Sequence, residues 1–204
     1  HMYLATELEF GEQNPDEDEF LEPVKLPMEE AVAMAVDGRL ADSKTVAALL
    51  RELLFKTRRY MEDKENGKNP GFDMKLEAMI PVIKKEIPLK AHAHRADDIF
   101  TAIRIADEFG FGLTLDHCTE GHLIADKLAG YGYPVLVGPS FGSKSKQELS
   151  EKSFVTPGIL EKAGLTVSII TDAPVIPQKY LPLCAGLAVK AGMDPFEALK
   201  AITI

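Results

Sequence analysis

The chain has 204 residues, 46% of them apolar, and a formal net charge of −9 with a pI near 5.1. That length suggests one domain, or two small ones, with enough apolar material for a core. The negative charge argues against nucleic acid or an anionic membrane surface as a partner, and no apolar run of spanning length occurs in the sequence.

Residues 1–27 read as an acidic, irregular segment. From Glu7 to Glu22 there are eight acidic residues and no basic one. The run lacks the calcium-loop pattern with its glycine, so it reads as solvated chain. A helical stretch, 28–86, follows. A short helix starts at Met28 and stops at Asp37-Gly38. Ser43 makes an N-cap for a second helix, in which Val46, Leu49, Leu50, Leu53, Leu54 and Thr57 keep helical spacing to about Lys64. Asn66 to Gly71 is loop chemistry, and Met74 to Ile83 is a third helix.

After Pro88 the texture becomes strand and helix in alternation through residues 87–204. Strands are expected at Leu89–Ala93, Leu113–Asp116, Tyr133–Gly138 and Val167–Thr171. The intervening helices are placed at Ala96–Phe109, with Gly110 as its C-cap, at Gly121–Ala129 and near Pro157–Ala163. Cys184–Ala191 and Pro195–Ile202 close the chain as helices, the last capped by Asp194. The spacings fit βα units, and right-handed crossovers then give a parallel sheet.

Three of these strands end in metal-ligand chemistry: His92-Ala-His94, Asp116-His117 and Thr171-Asp172. Parallel strands present their carboxyl ends on one rim, where side chains converge. His92 and His94 are two apart and share a strand face. With His117 and Asp172 they suit a divalent metal that activates water. Asp172 precedes Ala173-Pro174, so it is presented at the strand tip, as a ligand or as a proton carrier; a turn cap is the plainer role. His122, in the first turn of a helix, either hydrogen-bonds substrate or is structural. Asp116 should face away from His117. Lys90 shares the face of His92. A Schiff-base lysine would need a desolvated pocket, and a salt bridge is the simpler assignment. Cys118 and Cys184 belong to no CxxC pair, which fits a reduced, cytoplasmic setting. A ligand role for the Cys118 thiol is weak, because a strand neighbour of His117 points to the opposite face.

Lys-Ala-His-Ala-His-Arg-Ala-Asp-Asp-Ile (90–99), Leu-Asp-His-Cys-Thr-Glu-Gly-His (115–122) and Thr-Asp-Ala-Pro-Val-Ile-Pro (171–177) together resemble the amidohydrolase superfamily, most of all its imidazolonepropionase-like branch. The resemblance runs over roughly residues 28–204. It implies a (β/α)8 (TIM-type) barrel whose metal is held by an HxH pair on the first strand, histidines on the fifth and sixth, and an aspartate on the eighth. By that likeness His92 matches the fifth strand, His117 the sixth and Asp172 the eighth, while His94 becomes a substrate-binding residue or one that supports the metal ligands; His122 stays a substrate-binding candidate on its position alone.

No HxH pair precedes residue 87, so the chain reads as part of such a barrel: an α/β fold of about four parallel strands with flanking helices and an N-terminal helical segment. Four strands cannot close a barrel. An exposed, apolar inner face is therefore expected, along with homo-oligomers that cover it. The expected activity is metal-dependent hydrolysis of a C–N bond in the full-length parent, on a small-molecule cyclic amide or dipeptide-like amide, with Asp172 moving the proton. Zinc is the first choice of metal, with iron and manganese also compatible with these donors. The alternative is a non-catalytic fragment or assembly module with little or no turnover of its own.

Overall fold

The computed structural model describes residues 43–203, together with Pro27, Glu30 and Met34. The acidic segment 1–27 and the helix expected from Met28 otherwise lie outside the described residues. In chain order come α1 (Ser43–Glu65), α2 (Met74–Ile83), β1 (Leu89–Ala93), α3 (Ala96–Phe109), β2 (Leu113–His117), α4 (Ala125–Ala129), β3 (Val135–Val137), α5 (Thr156–Lys162), β4 (Val167–Ile169), α6 (Leu181–Lys190) and α7 (Pro195–Lys200). The fold is α/β, a partial TIM-type barrel: four strands in the order β1-β2-β3-β4, every neighbouring pair parallel, with flanking helices.

Local signals place most of these boundaries. Asp73 caps α2 by accepting from the backbone amides of Lys75 and Leu76, and Asp194 caps α7 through those of Phe196 and Glu197. Gly110 ends α3 in the left-handed region, at φ 70°. Within α3, Ile99, Ile103 and Ala106 recur at helical spacing and are buried against the sheet. Leu54 on α1, Leu113 and Leu115 on β2, Leu128, Val135 and Leu160 complete one core. A second cluster of Ile169, Cys184, Ala185, Ala188, Met193, Ala198 and Ala201 seats α6 and α7 against β4. The outer edge of β4 is met there, where the Ile169 amide donates to the Ala201 carbonyl at 2.8 Å.

The two faces of the sheet differ. Leu113, Leu115, Val135 and Val137 point into the helices. The alternating positions Lys90, His92, Thr114, Asp116, Leu136 and Ser168 form the other face, and none of them is buried. The inner face was expected to be apolar. It is largely polar instead, because strict alternation along β1 and β2 places lysine, histidine, threonine and aspartate on it. Lys90 Nζ lies 3.1 Å from Asp116 across this face, the salt bridge that the sequence suggested. With Lys90 largely exposed, the desolvation that a Schiff-base lysine needs is absent. No helix among the described residues is long and apolar enough to cross a membrane.

Candidate metal centre at the strand ends

The register sets Ala93 beside His117, His117 beside Val137 and Val137 beside Ile169, so the ends of all four strands line one rim. His92 belongs to the inner face and His94 follows β1 directly. His117 begins on the opposite side, in phase with buried Leu113 and Leu115. Its backbone then enters the left-handed region, with φ 71° at His117 and 44° at Cys118. Non-glycine residues rarely adopt that conformation, and here it accompanies an imidazole brought to the rim. The His117 ring centroid lies 4.1 Å from that of His92 and 4.7 Å from that of His94. Cys118, swung the other way, is fully buried, and burial pushes its thiol up to about 12.

His92, His94 and His117 each offer a ring nitrogen, all within 4.8 Å of one another. His117 Nδ1 donates to the Gly138 carbonyl at 2.6 Å. A carbonyl can only accept, so the proton sits on Nδ1 and the Nε2 lone pair is free. His94 Nδ1 bonds the Thr119 hydroxyl at 2.8 Å, and its Nε2 stands 3.0 Å from Nε2 of His92. Two ring nitrogens that close need a proton or a cation between them. Oriented imidazoles with their second nitrogens engaged by a carbonyl and a hydroxyl are what a metal centre requires. Three histidines so placed could hold a metal ion.

Electrostatics favours neutral rings at His92 and His94. Burial, and then the neighbouring His117, lowers the pKa of His92. Burial, followed by His117 and His92, lowers that of His94 to about 4. An unfolded histidine takes up its proton near 6.5. Between that value and about 4 the unfolded chain therefore binds more protons, and stability falls as the pH is lowered through this window. The metal-free chain should lose thermal stability from pH 6.5 down to about 4, measured by melting in the presence of chelator, and His94→Gln should flatten the slope.

The sequence-derived residues separate into two groups. The structure brings together His92, His117 and also His94, which the resemblance had assigned to substrate. It does not bring Asp172 or His122 into the same cluster. Asp172 is exposed beyond β4, itself left-handed at φ 51°, close enough that its charge acts on His92. His122 is half-buried and bonds the Thr156 hydroxyl through Nδ1 at 3.0 Å. Sequence reasoning missed Thr119 and the Gly138 carbonyl, which hold the rings, and Glu148. The last sits in a 3₁₀ turn of the loop after β3 and adds a favourable negative charge at His92 and His94.

No protein-family model and no curated protein matches the chain. A solved structure does: an amidohydrolase from Thermotoga maritima MSB8, with a TM-score of 0.76 and 38% sequence identity over 79% of this chain. The chain has an amidohydrolase-type fold. It spans 43% of that neighbour, less than half of its length. At the coarse level of an amidohydrolase-type fold with a potential metal-binding histidine triad, the sequence-based expectation agrees with these findings.

Proposed function

We propose that this chain is a catalytic-domain portion of a metal-dependent amidohydrolase acting on a C–N bond, in a cyclic amide or a dipeptide-like amide. The observation that carries the reading is the histidine triad, with the His117 tautomer set by the Gly138 carbonyl. His92 and His117 would hold the ion, as the motifs suggested, and His94 is positioned to join them. A bound divalent metal, zinc for preference, supplies positive charge that acidifies water and polarises a carbonyl.

The protein's own groups do the rest. Thr119 and the Gly138 carbonyl keep the rings oriented. Asp172, exposed at the same rim, takes the proton from the water that adds to the amide carbonyl. It then delivers that proton to the nitrogen as the C–N bond breaks. His122, half-buried and bonded through Nδ1 to the Thr156 hydroxyl, is kept as a substrate contact. The motifs at 90–99, 115–122 and 171–177 support the narrower placement in the imidazolonepropionase-like branch.

The test is metal stoichiometry and amide turnover. After chelation and reloading, the chain should retain one equivalent of zinc, and the loaded chain should release amine from a panel of dipeptides and cyclic amides. Zinc retention no greater than that of a variant lacking all three histidines would sink the reading.

A further inference from the structure

His94 lies just past the last register pair of β1, which is Ala93 with His117. Its position therefore depends on what holds the chain after the strand ends. The three residues that follow His117 do this. The Cys118 amide donates to the Ala93 carbonyl at 3.0 Å, and the Glu120 amide donates to the His94 carbonyl at 2.9 Å. Thr119 holds the ring through Nδ1. The Glu120 carboxylate accepts from the Ala96 amide at 2.8 Å. The segment 93–96 is thus gripped before His94, at His94 and after it.

The carboxylate bond fills a gap in α3. A helix leaves its first amides without internal partners, and the N-cap side chain commonly supplies an acceptor. Arg95, at the N-cap of α3, makes no such bond. Glu120 supplies the acceptor from 24 residues away, and a carboxylate suits the positive end of a helix. Gly121 lets the turn that carries Glu120 sit against the core, since a Cβ there would stand 2.5 Å from Cys118 Sγ and 3.2 Å from the Leu160 side chain. One half-buried side chain therefore ties the turn after β2 to the start of α3, with His94 between them and the end of β1.

We propose that Glu120 is a positioning residue for the metal centre: its carboxylate, bound to the Ala96 amide, fixes the segment that carries His94 and so keeps that ring beside His92 and His117. The inference rests on the metal-dependent reading and adds to it a residue that touches neither the ion nor the substrate. Without the carboxylate the His94 segment gains freedom. Binding an ion must then order it, and that ordering weakens the affinity.

The test is zinc affinity of the full chain, measured by chelator competition in three variants. Glu120→Ala should bind zinc at least about tenfold more weakly, the scale of losing a group that orients a ligand. Glu120→Gln keeps an acceptor for the Ala96 amide and should recover most of that loss. Asp194→Ala is the structural control. It removes the cap of α7, where Asp194 accepts from the Phe196 and Glu197 amides, and should lower the melting temperature while leaving zinc affinity unchanged. If Glu120→Ala does not fold, hydrogen exchange in the wild type decides: zinc should slow exchange of the Ala96 amide and leave that of Phe196 as it was. Wild-type affinity in Glu120→Ala, no recovery in Glu120→Gln, an equal loss in Asp194→Ala, or, where exchange decides, an Ala96 amide that zinc does not slow overturns the proposal. The two readings fail in different ways. Zinc retained by the wild type and equally by Glu120→Ala removes the positioning role alone, whereas a wild type that retains no zinc removes the metal-dependent reading and this inference with it.

Discussion

His117→Ala should lower zinc affinity by at least about 100-fold, measured by competition with a chromogenic chelator. Losing a group that merely orients a ligand costs about 10–100-fold, and His117 is proposed as a ligand itself. Its ring is also the one whose tautomer is least ambiguous, since Nδ1 must donate to the Gly138 carbonyl. Thr119→Val provides the internal scale. It removes the hydroxyl 2.8 Å from His94 Nδ1 and leaves every ring in place, so a loss of about 10-fold is expected. If His117→Ala binds zinc as tightly as the wild type, the triad is not the metal centre.

Gly138→Ala should damage both the fold and the site. Gly138 has φ 138°, a conformation that side chains rarely adopt, and an added Cβ would be driven into the Ile170 carbonyl, well inside contact distance. The obstacle is backbone on the adjoining strand end, which cannot swing aside as a side chain can. Backbone strain of about 1–3 kcal/mol and overpacking of about 1–3 kcal/mol together give roughly 2–6 kcal/mol of destabilisation by urea unfolding. The Gly138 carbonyl also orients His117, so the folded remainder should bind zinc about 10–100-fold more weakly. Unchanged stability together with unchanged zinc affinity would mean that this strand end is not held as described.

Elements with local causes were legible in the sequence. Periodic isoleucines and a left-handed glycine mark α3, an aspartate before a proline marks the start of α7, and short apolar runs mark the strands. The strand ends were less so. β3 is shorter than the expected Tyr133–Gly138, and the helix expected at Gly121–Ala129 is a 3₁₀ turn followed by α4. Ends depend on where neighbouring strands stop pairing, and a single segment does not carry that information.

The candidate site divides the same way. His92 and His94 share a face by simple alternation, so their pairing was readable from spacing alone. His117 belonged by alternation to the helix-facing side, and its left-handed backbone brings it to the rim. The Gly138 and Thr119 bonds and the approach of Glu148 to His92 and His94 all involve partners far apart along the chain.

The sequence by itself determined the alternation of strands and helices, the parallel sheet that follows from it, and the residue types at the strand ends. It could do so because periodicity, capping and β-spacing act over a few residues. The tertiary structure alone decided which nitrogens converge and which tautomer His117 holds. Those outcomes depend on strand register and on a backbone reversal, which exist only once distant segments are packed together.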